Sequence, residues 1–265
     1  MAATTIETSP MLDASRVTDT WIFPNWPAPP RVHAAVTTRQ GPGVSAAPFE
    51  RFNLGLRSGD AIDSVVANRG ALQQALALPA APRWLRQVHG ITVADLGPLP
   101  SPEEPQADAA VSHLPGTVLT ILTADCLPVL FCAADGSEIG AAHAGWRGLA
   151  GGVLEATLAQ LHAPRERLLA WLGPCIGAAS YEVGEEVRAA FVDHDAAAAA
   201  CFAATRPGHW RCDLAALAHQ RLTAAGVNRI YGDGLDTLTD PRFYSYRREG
   251  ARSGRFASLI WLADS

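Results

Sequence analysis

The chain has 265 residues, 48% of them hydrophobic and 18% charged, with a formal net charge of -5 at pH 7. Nucleic acid and anionic membrane both call for a basic face, so this balance argues against either as a partner, and no apolar run is long enough to cross a bilayer. Every basic residue is arginine, which excludes a Schiff-base lysine, a Walker A lysine and a Ser-x-x-Lys nucleophile and leaves phosphate recognition to arginine, backbone N–H groups or helix termini.

Residues 1–30 read as a tail and an irregular segment. Residues 1–20 are polar, are expected to be disordered and lack the charged-then-apolar order of a signal peptide, so cytoplasmic residence is expected. Residues 21–30 (WIFPNWPAPP) are aromatic and proline-rich. From residue 31 to 265 no linker divides the chain and no repeat is found, so one domain is expected. Residues 31–39 (RVHAAVTTR) alternate and are β-branched, as in a strand. A Gly/Pro loop follows over 40–48. Asp60 is placed to cap a helix over 61–78, with Ile62, Val65, Val66, Leu72 and Leu76 in helical period.

Residues 83–89 (RWLRQVH) and 91–96 (ITVADL) read as strands around Gly90, 97–107 as a loop and 109–112 as a short strand. The stretch 117–152 (TVLTILTADCLPVLFCAADGSEIGAAHAGWRGLAGG) holds three apolar runs separated by turns, the pattern of buried strands. A helix is expected from 148 to 161. A strand over 168–172, a helix over 184–192 and an alanine-rich, helical 195–204 come next. A helix capped by Asp213 runs to 225, with closing strands at 228–231 and 256–262. Strands outnumber helices without regular βαβ alternation, which predicts an α+β fold with mixed sheets covered by a few helices. The five cysteines are odd in number, irregularly spaced and without a C-x-x-C, so free thiols are expected.

His89, Cys126 and His143 each end an apolar segment beside a turn. Imidazole and thiolate suit zinc, and three protein ligands with an open fourth position describe a catalytic zinc site; each residue taken singly also reads as an ordinary buried side chain. Asp125 has two readings, a general base or a carboxylate capping a strand-to-turn junction. Arg147, between the glycines of GWRG, is placed to hold an anionic substrate where backbone can approach it. Gln87 shares a strand face with His89 on the strand reading. Arg39, Asn53 and Arg57 flank Gly-rich turns, as binding residues or as solvated loop residues. Tyr244, Tyr246, Arg247 and Arg248 form a cluster that could stack a base and bind an anion, or form a strand edge.

Taken together, QVHG (87–90), TADCLPVLF (123–131), AAHAGWRGL (141–149), LGPCIG (172–177), YEVGEEV (181–187), FYSYRREG (243–250) and SGRFASLIWL (253–262) resemble, in order and spacing over about residues 31–262, the laccase-domain family. That family was once described as multicopper polyphenol oxidase; its members are now described as purine nucleoside phosphorylases and some as a peptidoglycan editing factor. The resemblance implies a layered α/β/β/α domain and a zinc site at His89, Cys126 and His143. It also implies cleavage of adenosine, inosine and methylthioadenosine by phosphate, with adenosine deamination as a further activity; a monomer or homodimer is expected. Catalytic parts fall to Asp125, Cys126 and His143, and substrate binding to Arg39, Asn53, Gln87, Arg147 and Arg247. One position departs: Asp236-Thr237 stands where the family commonly has Cys-Thr, a difference expected to be peripheral.

Copper is the weaker expectation. The chain has eight histidines, no His-x-His, and only Met1 and Met11 as methionines, too little for a type-1 copper with a trinuclear cluster. Two rivals remain: a Cys126–His143 amidase acting on a peptidoglycan precursor, and a non-catalytic binder of a nucleotide-like metabolite.

Overall fold

A computed structural model describes residues 18–99, 103–232 and 234–263, so the expected disorder at the N-terminus falls, over residues 1–17, outside them. In chain order the elements are β1 (Trp21–Ile22), β2 (Val32–Thr37), α1 (Ile62–Ala75), β3 (Val93–Asp95), β4 (Ala109–Ser112), β5 (Val118–Thr123), β6 (Leu127–Ala133) and β7 (Ile139–Ala144). They continue with α2 (Trp146–Gly151), α3 (Val153–Gln160), β8 (Leu168–Leu172), β9 (Glu182–Gly184), α4 (Glu185–Val192), β10 (Phe202–Arg206), β11 (His209–Cys212), α5 (Leu214–Ala224), β12 (Arg229–Gly232), α6 (Tyr246–Glu249) and β13 (Phe256–Leu262).

Two larger sheets lie face to face. An antiparallel sheet runs β1-β2-β13-β5 and a mixed sheet runs β12-β8-β6-β7-β4-β3, beside a small β10-β11-β9 sheet. The two-residue period of a strand sorts the side chains into layers. On β6, Leu130 and Cys132 enter the core shared with Leu119, Ile121 and Ile260 of the other sheet. Leu127, Val129 and Phe131 face Val153, Leu154 and Leu158 of α3 and Leu214, Leu217 and Leu222 of α5. On the far side, Leu72 of α1 meets Val118, Ala257 and Leu259. The order is therefore helix, sheet, sheet, helix: the layered α+β arrangement with mixed sheets. β6 is buried along its whole length because both its faces are covered, which is why it reads as an unbroken apolar run.

Several local expectations need correction. Residues 83–89 are not a strand: only Arg83 bridges, to Leu119. Asp60 does not cap α1, whose N-cap is Ala61 without a side-chain bond; the Asp60 carboxylate instead takes Ser45 Oγ at 2.6 Å and Asn53 Nδ2 at 3.0 Å. Ile62 and Val66 face solvent, while Val65 and Leu72 turn inward. The helix expected over 148–161 is broken at Gly152, whose φ of +100° no helix continues. The alanine run is a 3-10 segment over Ala196–Cys201 that leads into the β10–β11 hairpin. The proline-rich segment opens with β1, paired antiparallel to β2. Asp213 does cap α5, accepting the Ala216 N–H at 2.8 Å. Among the described residues no helix is long and apolar enough to cross a membrane.

Candidate metal centre and its cavity

The strand pairing brings three distant residues to one end of the mixed sheet. β6 and β7 are antiparallel with Leu127 opposite Ala144 and Pro128 opposite His143, so Cys126 and His143 share that end. β4 pairs with β7 from the other side, and the His143 N–H donates to the Asp108 carbonyl at 2.7 Å. His89 arrives on the 88–90 loop, its ring 4.7 Å from that of His143 and its Nε2 3.7 Å from Cys126 Sγ. The ligand atoms of the three all lie within 4.8 Å of one another. Two imidazole nitrogens and one thiol at that spacing, beside an open cavity, fit a tetrahedral zinc ion with one free position.

Asp108 was not singled out from the sequence, and it organises the site. Its fully buried carboxylate accepts His143 Nδ1 at 2.8 Å, the His89 N–H at 2.8 Å, the Gly90 N–H at 2.7 Å and the Val88 N–H at 3.1 Å. Three successive amides directed at one anion need a curled backbone, and His89 supplies it with φ of +61°. Holding Nδ1 leaves His143 Nε2 for the cluster. Burial works against charge on Asp108, but the bonds from His143 and from the Gly90 and Val88 amides outweigh it and hold the carboxyl below its usual range.

The glycines of GWRG serve this loop. A Cβ on Gly145 would stand 2.7 Å from His89 Cδ2 and 3.1 Å from Cys126 Sγ, and one on Gly148 would stand 2.8 Å from the Gly90 carbonyl oxygen. Only bare backbone lets α2 lie against the loop.

The thiol and imidazole are strongly coupled. Burial disfavours a thiolate at Cys126, but facing His143 and His89 pulls the thiol down to about 6. Burial likewise disfavours charge on His143, but Cys126 and Asp108 push the imidazole up to about 9. Each group therefore favours the charged form of the other. The other thiols are pushed up by burial, Cys132 to about 12.

A cavity of about 620 Å³ opens on the cluster. Gln87, Asp125, Arg147 and Arg247 line it, as do Arg57, Arg69, Trp146, Tyr181, Tyr246 and Arg255. Among the described residues Arg147, Arg247 and Arg255 have no carboxylate within ion-pair distance, and each guanidinium lies over an aromatic ring. The distances are 4.3 Å from Arg147 to Trp146, 5.3 Å from Arg247 to Tyr181 and 5.9 Å from Arg255 to Tyr246. Gln87 is held by the main chain of Leu122, donating to its O at 2.8 Å and accepting its N–H at 2.9 Å. Asp125, with φ of +87°, accepts Thr237 Oγ1 at 2.7 Å, Ser245 Oγ at 3.0 Å and the Arg247 N–H at 2.6 Å. It ties the α6 segment to the sheet edge and so positions Arg247.

Two expected binding residues lie outside the cavity lining. Arg39 is tied to Glu249 at 2.7 Å and lies over the Tyr244 ring at 4.7 Å. Asn53 is fully buried and saturated by Ser58, Asp60, Gly55 and Arg255. Tyr244 is also core, its hydroxyl donating to Phe49 O at 2.7 Å, and Tyr246 to Arg248 lie on a short helix, not a strand edge. Asp236 accepts Gly177 N, Ser180 Oγ and Leu238 N and does not line the cavity. The signal for Arg255, Tyr181 and Trp146 was present in the motifs GRFASL, YEVGEEV and GWRG, but nothing local marks which side chain of each turns to the cavity.

Residues 33–263 match the model of a family described as multi-copper polyphenol oxidoreductase laccase. A Xylella fastidiosa protein named purine nucleoside phosphorylase is 56% identical over 91% of this chain and 97% of its own length. An Escherichia coli protein named purine nucleoside phosphorylase YfiH is 48% identical over 91% of this chain and 98% of its own. A Neisseria meningitidis crystal structure superposes with a TM-score of 0.87 at 42% identity, over 92% of this chain and all of that one.

Proposed function

Since the chain belongs to the laccase-domain family, whose matched relatives carry the name of an enzyme, we propose that it is a purine nucleoside phosphorylase. Its substrates on this reading are adenosine, inosine and methylthioadenosine, with adenosine deamination as a side activity. The observation that carries the reading is the set of three arginines free of carboxylates, each over an aromatic ring, in one cavity with the His–Cys–His cluster. Arginine forks suit phosphate, and the rings suit a purine face.

In phosphorolysis the C1′–N9 bond breaks, a phosphate oxygen bonds C1′, and the departing base takes up a proton. Positive charge develops on the sugar in the transition state. Arg147, Arg247 and Arg255 hold the phosphate dianion against that centre. Tyr181, Tyr246 and Trp146 narrow the cavity around the base and exclude water. Asp125 acts through Arg247, keeping its backbone and hence its guanidinium in place; its three donors leave it an orienting part rather than that of proton carrier. His89, Cys126 and His143 would hold a zinc ion, which supplies Lewis-acid polarisation of a substrate oxygen.

The test is to incubate metal-analysed protein with inosine or adenosine, with and without phosphate, beside Cys126→Ala and Arg147→Ala. Phosphate-dependent release of free base, lost with zinc in Cys126→Ala and retained with a raised phosphate KM in Arg147→Ala, supports the proposal. Zinc-replete protein that releases no base sinks it. A second reading rests on the same cluster without a metal: Cys126 Sγ lies within 4.8 Å of a His143 ring nitrogen, the neighbourhood a Cys–His nucleophile uses. Amide hydrolysis by zinc-free protein would favour it.

A further inference from the structure

The β4–β7 pair carries a second cluster at its opposite end. His113 follows β4, Glu138 precedes β7, and His162 follows α3. The Glu138 carboxylate is 1% exposed. Its Oε1 accepts the Ala163 N–H at 2.7 Å and its Oε2 the His162 N–H at 2.9 Å. His113 Nδ1 stands 3.0 Å from Oε2 and His162 Nδ1 3.9 Å from the same oxygen. The two imidazoles lie face to face, 4.2 Å apart and 14° from parallel. From residue 108 to residue 113 is five strand steps, so the cluster sits roughly 17 Å from the cavity end at about 3.4 Å per residue.

We propose that His113, Glu138 and His162 form a second site for a divalent transition-metal ion of the zinc, cobalt or nickel class. The donor set is two imidazole nitrogens and a carboxylate oxygen, which suits those ions and not calcium or magnesium. Ligand atoms around a tetrahedral ion at about 2.0–2.1 Å stand roughly 3.3 Å from one another, and the observed 3.0 and 3.9 Å bracket that spacing. All three ligand atoms lie within 4.8 Å of one another.

The two amides of the loop after α3 fix the Glu138 carboxylate, as outer bonds aim a metal-binding carboxylate. The two rings stacked over it bring both Nδ1 atoms to its Oε2 from different segments. The His162 side chain is 81% exposed, so its ring can turn to coordinate without disturbing the core. An ion there trades one hydrogen bond, His113 to Glu138, for three coordinate bonds and ties the end of α3 to both strands. The ligands lack a thiol, so this ion is bound more weakly than one at Cys126 and exchanges with solvent.

The experiment uses metal-free full-length protein dialysed against micromolar Co²⁺, with the bound metal counted for wild type, Cys126→Ala, His162→Ala and the double variant. The proposal expects two ions, one, one and none. Cobalt held by Cys126→Ala should lack the thiolate-to-cobalt charge-transfer band that His162→Ala retains. Both ions should raise Tm in wild type, with the His162-dependent part lost in His162→Ala. A wild type that holds one ion, or a His162→Ala that still holds two, overturns the proposal. The His162→Ala arm stands alone if Cys126→Ala folds poorly. None of these readouts depends on nucleoside cleavage, so failure here leaves the proposed activity untouched, and the converse holds.

Discussion

The two ends of the β4–β7 pair are built from the same parts with their places exchanged. At one end the carboxylate precedes β4 and the histidine closes β7, as Asp108 and His143. At the other the histidine follows β4 and the carboxylate precedes β7, as His113 and Glu138. Each pair has a second histidine beside it and loop amides on its carboxylate. They differ in what covers them. Asp108 and His143 lie beneath the 88–90 loop, which α2 backs, and face a thiol, whereas the His113 end opens to solvent through His162. At the Asp108 end burial and a facing thiol act on the pair together; at the Glu138 end the carboxylate is as deeply buried, but the cluster holds no thiol and one of its two rings is open to solvent.

Asp108→Ala should break the comparison most severely. It takes the acceptor from the buried His143 ring and from three part-buried loop amides and leaves His143 without its counter-charge, a loss of about 3–5 kcal/mol by the measure of broken buried pairs. Urea denaturation of the metal-free protein checks this, and a loss below 1 kcal/mol would contradict the organising part given to Asp108.

Asp108→Asn sharpens the comparison through pH. The Cys126 thiol is pulled down to about 6, so in metal-free protein its alkylation rate should rise with pH through about 6. Removing the negative charge behind His143 weakens its hold on a proton, so less positive charge faces Cys126 and the midpoint should move upward. An unmoved midpoint in Asp108→Asn would show that the carboxylate does not act on the thiol.

Gly145→Ala tests the cover itself. Its Cβ would meet the His89 ring at 2.7 Å, and the displacement should cost about 1–3 kcal/mol as overpacking does. It should also weaken zinc binding at Cys126 while leaving the His162-dependent ion in place; equilibrium dialysis separates the two. The smallest effect belongs to His162→Ala, an exposed change that should alter metal-free stability by no more than about 0.5 kcal/mol. A larger loss in urea would mean that the stacked rings, not a bound ion, hold that end together.

The parts of the fold legible in sequence were those whose burial is complete. β6, β8 and β13 are almost wholly apolar because both faces are largely covered, and Asp213 announces α5 through a local cap. The β9–β11 sheet was not legible, since Ala203 to Arg206 are exposed and carry no apolar alternation. Residues 83–89 look like a strand but cannot behave as one: the Gln87 side chain answers Leu122, and Asp108 takes the next amides. His89, Cys126 and His143 could be picked out because imidazole and thiol at apolar run ends are conspicuous. Asp108 was not, because a lone acid before Ala-Ala-Val-Ser carries no spacing, and its importance lies in amides that only the folded loop presents. Arg39 and Asn53 were drawn in by glycine-rich neighbours, where the structure uses them to fasten loops.

The position of β13 has a consequence for how the molecule is made. It lies between β2 and β5, pairing with both, and Arg255 just before it fastens Asn53 and Leu54. Until the ribosome has delivered residues 256–262, β2 has only the two-residue β1 beside it and β5 has no neighbour in its sheet. At about 5–20 residues per second, the interval between residues 37 and 256 is roughly ten to forty seconds. Through that interval the shared core between the sheets stands open, a nascent chain that chaperones and proteases can reach. A chain cut before residue 256 would keep that exposure permanently.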